Sequence, residues 1–213
     1  MQVSLNEGFC KMNNFEILPQ KKIGSFVLGS LINDNANLSN IYGEILYENS
    51  LADSEDTINA TAELIFGLVD DVEEWKNEQN KYNEYNKQFY EIFYKCGINL
   101  LYKNKKLFEI TVNNDCKDLN FNNHFIFKEN PEDIINLFCS LLNEYPLIKK
   151  QDIYFPKNHI TFWSFSEEVA FDGKVKWTNA KSEIYNDKTF IMYAGPRNDD
   201  QSYDDYVIYK PNK

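Results

Sequence analysis

The segment DSEDTINATAELIFGLVDDVEEWKNE, residues 53–78, carries nine carboxylates against one lysine, Lys76. Wound at about 100° per residue, it sorts into two sides. Ile58, Ala62, Ile65, Leu68, Val69, Val72 and Trp75 share one apolar arc. Glu63, Asp70, Asp71, Glu74 and Glu78 fall opposite, with Asn59, Gly67 and Asn77 among them. The spacing predicts an amphipathic helix docked on the protein by one face and presenting concentrated negative charge on the other. Asp53 and Asp56 suit its first turn, where acids complement the helix dipole.

That helix is not expected to run on to Cys96. Tyr82, Tyr85, Phe89, Ile92, Phe93 and Cys96 form a stripe of their own, roughly 100° or more around from the first. A bend is expected in the all-polar residues 76–81, followed by a second helix that Gly97 would close. The clearest helix lies further on. Asn130 is the N-cap, Pro131 takes the first helical position, and Glu132 and Asp133 fill the first turn. Ile134, Leu137, Phe138, Leu141, Leu142 and Tyr145 make its buried stripe, and Pro146 stops it.

Strands are expected on both sides of these helices. Residues 15–18 form a short one ended by Pro19. Residues 23–32 and 41–47 read as a hairpin around the turn residues 33–37. Residues 98–102 and 107–112 flank a second turn, and 125–127 a short strand or plug. Toward the C-terminus, 159–165 alternates as a strand does. Residues 169–171 and 174–177 pair across Asp172-Gly173; 183–185 and 189–193 pair across Asn186-Asp187; 206–209 forms the last strand. The expected class is α+β: an antiparallel sheet built from N- and C-terminal strands, with about three helices packed on one face. Residues 1–213 are read as a single globular domain.

An apolar share of 43% supplies a core, and a net charge of −11 with pI near 4.7 argues against phosphate-backbone binding as the main activity. A cationic partner is the natural complement. Cys10, Cys96, Cys116 and Cys139 are widely spaced, as in reduced cytoplasmic proteins. No leader-like start and no 18-residue apolar window is seen, so neither a signal peptide nor a membrane span is expected.

Reaction chemistry is thin. The chain has no Gly-rich phosphate loop, nucleophile elbow or H-E-x-x-H motif, so no catalytic residue, metal or cofactor is assigned. His124 and His159 would serve a zinc site or an acid–base pair only if the fold joined them. Asp70 with Glu74, or Asp199 with Asp200, are the carboxylate pairs on which a metal-dependent hydrolase would be built. Arg197, the only arginine, is expected to brace its loop by pairing with the neighbouring aspartates. Tyr193, Tyr203 and Tyr206 are of the type that anchors interfaces.

The reading that absorbs most of these features is a non-catalytic acidic protein that binds a basic protein partner. Its contact residues are expected to be Glu63, Asp70, Asp71, Glu74, Glu78, Asp199, Asp200, Tyr203 and Asp204. In general character, carried by this row of anions rather than by a motif, the chain resembles the acidic immunity proteins with which bacteria neutralise nuclease-type toxins. The resemblance implies a toxin domain as partner; the acidic balance and the lack of a long apolar window give the expectation of no direct nucleic-acid and no membrane contact. A DNA mimic from a mobile element would share the same physics.

Overall fold

Alternating apolar and polar residues build a nine-stranded antiparallel sheet in the computed structural model, which describes residues 15–35, 37–68, 71–170, 173–197 and 203–211. In chain order its strands are β1 (Ile45–Ser50), β2 (Phe89–Tyr94), β3 (Ile98–Lys103), β4 (Lys106–Asn113), β5 (Leu147–Lys149), β6 (Asp152–Phe155), β7 (Ile160–Trp163), β8 (Thr189–Tyr193) and β9 (Val207–Ile208). Their spatial order is β9-β5-β6-β7-β8-β4-β3-β2-β1. Strand β8 slots between β7 and β4, pairing Phe190 with Phe162 on one side and Val112 on the other. It thereby fuses an N-terminal block, β1 to β4, with a C-terminal one.

Successive side chains of a strand point to opposite faces, so the register sorts the sheet. On one face Ile92, Leu100, Ile110, Met192 and Ile160 line up across five strands, all buried. Among the described residues the α-helices are α1 (Ser39–Tyr42), α2 (Glu55–Ile65), α3 (Val72–Asn86) and α4 (Pro131–Leu142). Helix α4 covers the buried face. Asn130 caps it by accepting from the Glu132 amide, and Phe138 meets Phe121 at 4.2 Å and Phe162 edge-on at 4.8 Å. A small three-stranded meander, Ile17–Leu18, Lys22–Ile23 and Phe26–Val27, covers the same face at the other end through Phe26 against Tyr42 and Tyr94.

The α+β class and the sheet drawn from both halves of the chain hold. Several elements fall elsewhere than expected. The acidic helix breaks between Ile65 and Val72, not in residues 76–81. Gly67 takes a left-handed φ of +85°, and Asp71 starts a new helix by capping the Glu73 and Glu74 amides. The polar run inside α3 consists of helix-tolerant residues, so polarity alone did not break it. The expected second helix ends at Asn86, and Phe89–Tyr94 is strand β2 between β1 and β3. Its aromatic and β-branched residues suit a pleated surface. Gly97 is accordingly a hairpin turn.

Residues 41–47 divide into the one-turn α1 and the start of β1, with Gly43 at φ +88° between them. The partner of β1 is β2, not residues 23–32. Tyr185–Asp187 is a 3₁₀ turn rather than a hairpin arm. The hairpin across Asp172-Gly173 forms, as Ser166–Val169 against Val175–Trp177, but outside the main sheet; Asp172 itself lies outside the described residues. Helices α2 and α3 do not join α4 on the buried face, since their buried residues, Ile58 and Ala62, are not part of the main core.

Candidate interaction surface

Between the paired strands β1 and β2 the chain makes a long excursion. Ser50 pairs with Tyr90 and the Leu51 amide reaches the Phe89 carbonyl, so residues 52–88 are an arm inserted into a β-hairpin. Ser54 caps α2 and Asp71 caps α3; the Asn83 side chain donates to the Asp53 carbonyl and ties the arm's base together. The two helices touch each other, with Ile58 and Ala62 buried on α2 and Val72 and Trp75 half-buried on α3.

The arm carries ten carboxylates and three lysines, so −7 of the chain's −11 resides in 37 residues. Little of it is neutralised locally. Lys76 stands 4.0 Å from Glu73 and Lys87 pairs with Glu84; exposed pairs of this kind contribute about 0–1 kcal/mol each. Among the described residues no lysine or arginine nitrogen lies within 4.0 Å of Glu63, Asp71, Glu74 or Glu78. Where the helices turn, Leu64, Phe66 and Leu68 are 80%, 79% and 81% exposed. They make an exposed apolar cluster of the kind that interaction surfaces use. A groove of about 1020 Å³ runs beside them, lined by Ala62, Glu63, Phe66, Asp71, Glu73 and Lys76.

The second face of the sheet is only half-buried over β2 to β4, at Glu91, Phe93, Asn99, Leu101, Glu109 and Thr111. Register places Glu91, Leu101, Glu109 and Tyr193 in one cross-strand row. Tyr47, Phe93, Asn99, Thr111, Ile191, Thr161 and Tyr154 make the next. Asn99 Nδ2 donates to Glu91, and Thr111 Oγ1 donates to Glu109 at 2.8 Å. Burial pushes the Glu109 carboxyl above its ordinary range, with the Glu91 charge adding to the rise and the Thr111 bond opposing it. Burial raises the Tyr193 hydroxyl too, and the Glu109 charge reinforces it.

At the far end of this face the C-terminal loop folds over β6. Arg197 Nη1 donates to Asp152 Oδ2 at 2.8 Å, its guanidinium lies over Tyr154, and the Tyr206 hydroxyl donates to the same Asp152 oxygen. Tyr203 stacks on Tyr154 with ring centres 5.6 Å apart. Arg197 thus braces the loop through an aspartate 45 residues away; the neighbouring Asp199 and Asp200, its expected partners, lie outside the described residues.

Of the expected contact residues, Glu63, Asp71, Glu74 and Glu78 stand exposed together on the arm. Tyr203 and the exposed Asp204 lie in the other group, beyond the opposite part of the sheet, where Asp205 pairs with Lys149 at 3.2 Å. Six inter-strand steps from β6 to β1 separate the groups by about 29 Å along the sheet. Asp70, Asp199 and Asp200 fall outside the described residues. His124 pairs with Glu129 at 2.8 Å, and His159 precedes β7 at φ +54°. Among the described residues no group of three His, Cys, Asp or Glu is placed to hold a metal ion.

The polar sheet face was not foreseen. Its signal is the opposite phase of the core alternation: Glu91, Asn99, Glu109 and Thr111 between buried Ile92, Leu100, Ile110 and Val112. Reading Phe89 to Cys96 as helix hid it. Comparison with family models, curated proteins and solved structures finds no match for this chain.

Proposed function

We propose that this protein is a non-catalytic acidic binding protein that neutralises a basic protein partner, most simply an immunity protein that acts in the cytoplasm against a nuclease-type toxin. The observation that carries the reading is the arm: −7 of charge, largely without internal counter-ions, outside the main core and ending in exposed Leu64, Phe66 and Leu68. A nuclease domain holds phosphates with cations, and α3, about 22 Å long, spans several such side chains. Long-range attraction speeds encounter, while desolvated apolar contacts at the tip set the lifetime. Free cysteines support a reducing compartment: Cys116 and Cys139 are buried thiols, each pushed up to about 12 chiefly by burial.

The test is association with a basic toxin domain encoded beside this chain's gene, measured by calorimetry across a salt series. Binding is expected to weaken steeply with added salt. The combined variant Glu63→Gln, Asp71→Asn, Glu74→Gln, Glu78→Gln is expected to flatten that dependence. A salt-independent affinity, or unchanged binding by the variant, overturns the proposal.

A further inference from the structure

We infer that the groove between α2 and α3 receives an amphipathic helix of the basic partner, its apolar side chains set toward Ala62 and Phe66 and its lysines or arginines toward both walls. The inference rests on the basic-partner reading above and adds which kind of segment the arm holds.

The floor of the groove is apolar. Ala62 is 3% exposed at its base, and the half-buried Val72 lines it from α3. Phe66 follows Ala62 by four residues, on the same side of α2, and stands exposed where that helix ends. Its ring belongs to a hydrogen-bonded turn, made by Gly67 at φ +85° and by the Leu68 amide donating to the Ile65 carbonyl at 2.8 Å. At about 1020 Å³ the groove exceeds the roughly 300–1,000 Å³ of small-ligand pockets and suits a chain segment.

Charge selects the occupant. Glu63 stands on the α2 wall and Asp71 and Glu73 on the α3 wall. Among the described residues Lys76 is the one cation of the lining, 4.0 Å from Glu73. A second copy of this chain would bring −7 against −7, and an anionic lipid surface would be repelled likewise. Anions on both walls call for cations on both flanks of what lies between them. A helix supplies this, because apolar residues at i, i+3, i+4 and i+7 make one seam and the intervening positions project to either side. An extended segment alternates between two faces, so a strand seated by its apolar face turns its basic residues away from the walls. Helix α2, eleven residues long, spans about 16 Å, which sets the occupant at about three turns.

The experiment is an NMR titration of the isotope-labelled full chain with the peptide Ac-LKKLLKKLLKKL-NH2, whose leucines make one helical face. Two controls carry the same lysines: Ac-LKLKLKLKLKLK-NH2, apolar along one face of a strand, and Ac-SKKSSKKSSKKS-NH2, without apolar side chains. Saturable shifts at Asn59, Ala62, Phe66, Gly67 and Glu73 are expected with the first peptide, and binding weaker by at least about tenfold with either control. Phe66→Ser should weaken the first peptide about tenfold and leave the serine peptide unchanged. Phe66 is exposed, so this variant should stay folded, which retained spectral dispersion reports. Equal binding by the serine peptide, or indifference to Phe66→Ser, overturns the groove while leaving the basic-partner reading intact. Equal binding by the strand-patterned peptide overturns the helix. An absence of saturable shifts with all three overturns the groove and the basic-partner reading together. Dimerisation in sedimentation velocity, or flotation with phosphatidylcholine vesicles, that Phe66→Ser abolishes would assign the groove to a second copy or to lipid and overturn the proposal.

Discussion

Residues 52–88 can be cut out and the protein should still fold. The arm leaves β1 and rejoins β2 where Leu51 lies opposite Phe89, so Asn-Gly in place of the 37 residues closes a two-residue hairpin. Shortening the connection from 37 residues to two lowers its closure cost by roughly 2.5 kcal/mol. Against this gain stand the interactions that join the arm to the sheet. The Tyr85 ring packs 5.2 Å from Phe89 and lies 6.0 Å from Lys103 Nζ, and the Asn104 amide donates to the Gln88 carbonyl. Together these are worth about 2–3 kcal/mol. The terms nearly cancel, and the arm's buried residues lie outside the main core. Stability should therefore change by no more than about 2 kcal/mol, read from urea unfolding with the midpoint and slope fitted separately. Net charge falls from −11 to −4, because ten carboxylates leave with three lysines. Weakened binding of the proposed basic partner should accompany retained folding. Failure to fold, or a loss above about 4 kcal/mol, would show that the arm is integral to the sheet and refute its description as an appendage.

Lys188 and Gly97 supply two further tests. Lys188 is 1% exposed, its ammonium 3.3 Å from the Phe127 carbonyl and 4.2 Å from the Tyr185 ring centre, and burial pulls its pKa from 10.5 down to about 8. The folded state then disfavours the proton that the unfolded chain holds, so stability should rise between pH 8 and 10.5 and the penalty is full at pH 7. Lys188→Met should raise stability at pH 7 by about 2 kcal/mol after the ammonium's hydrogen bond and ring stacking are set against the shift. It should also flatten that alkaline rise in thermal unfolding; an unchanged pH profile would refute the assignment. Gly97 turns β2 into β3 at φ +89°, and a Cβ there would sit 2.1 Å from Asn113 Oδ1. Gly97→Ala should cost about 2–4 kcal/mol in urea unfolding; a loss below about 1 kcal/mol would show that the turn relaxes freely.

Local chemistry alone determined the start of helix α4, set by Asn130 and Pro131, and a buried side around Ile134 and Phe138. The helix end falls at Asn143, at φ +49°, short of the expected stop at Pro146, and Leu141 and Tyr145 of the expected stripe are exposed. Local chemistry determined the hairpin of β3 and β4 as well, whose turn residues Asn104 and Lys105 take φ of 51° and 65°. Charge concentration in the arm is likewise a property of composition. Tertiary structure decided the rest. The aromatic run Phe89–Tyr94 fits a helical stripe as well as a pleated strand, and only pairing with β1 and β3 on both sides selects the strand. Likewise β8 pairs with β7 and β4, rather than with the residues just before it, because Phe190 and Met192 complete a buried face drawn from both halves of the chain. The Arg197–Asp152 pair and the row Glu91–Leu101–Glu109 follow from that strand order. Such contacts join residues far apart in the chain, and no local periodicity encodes which strands will lie side by side.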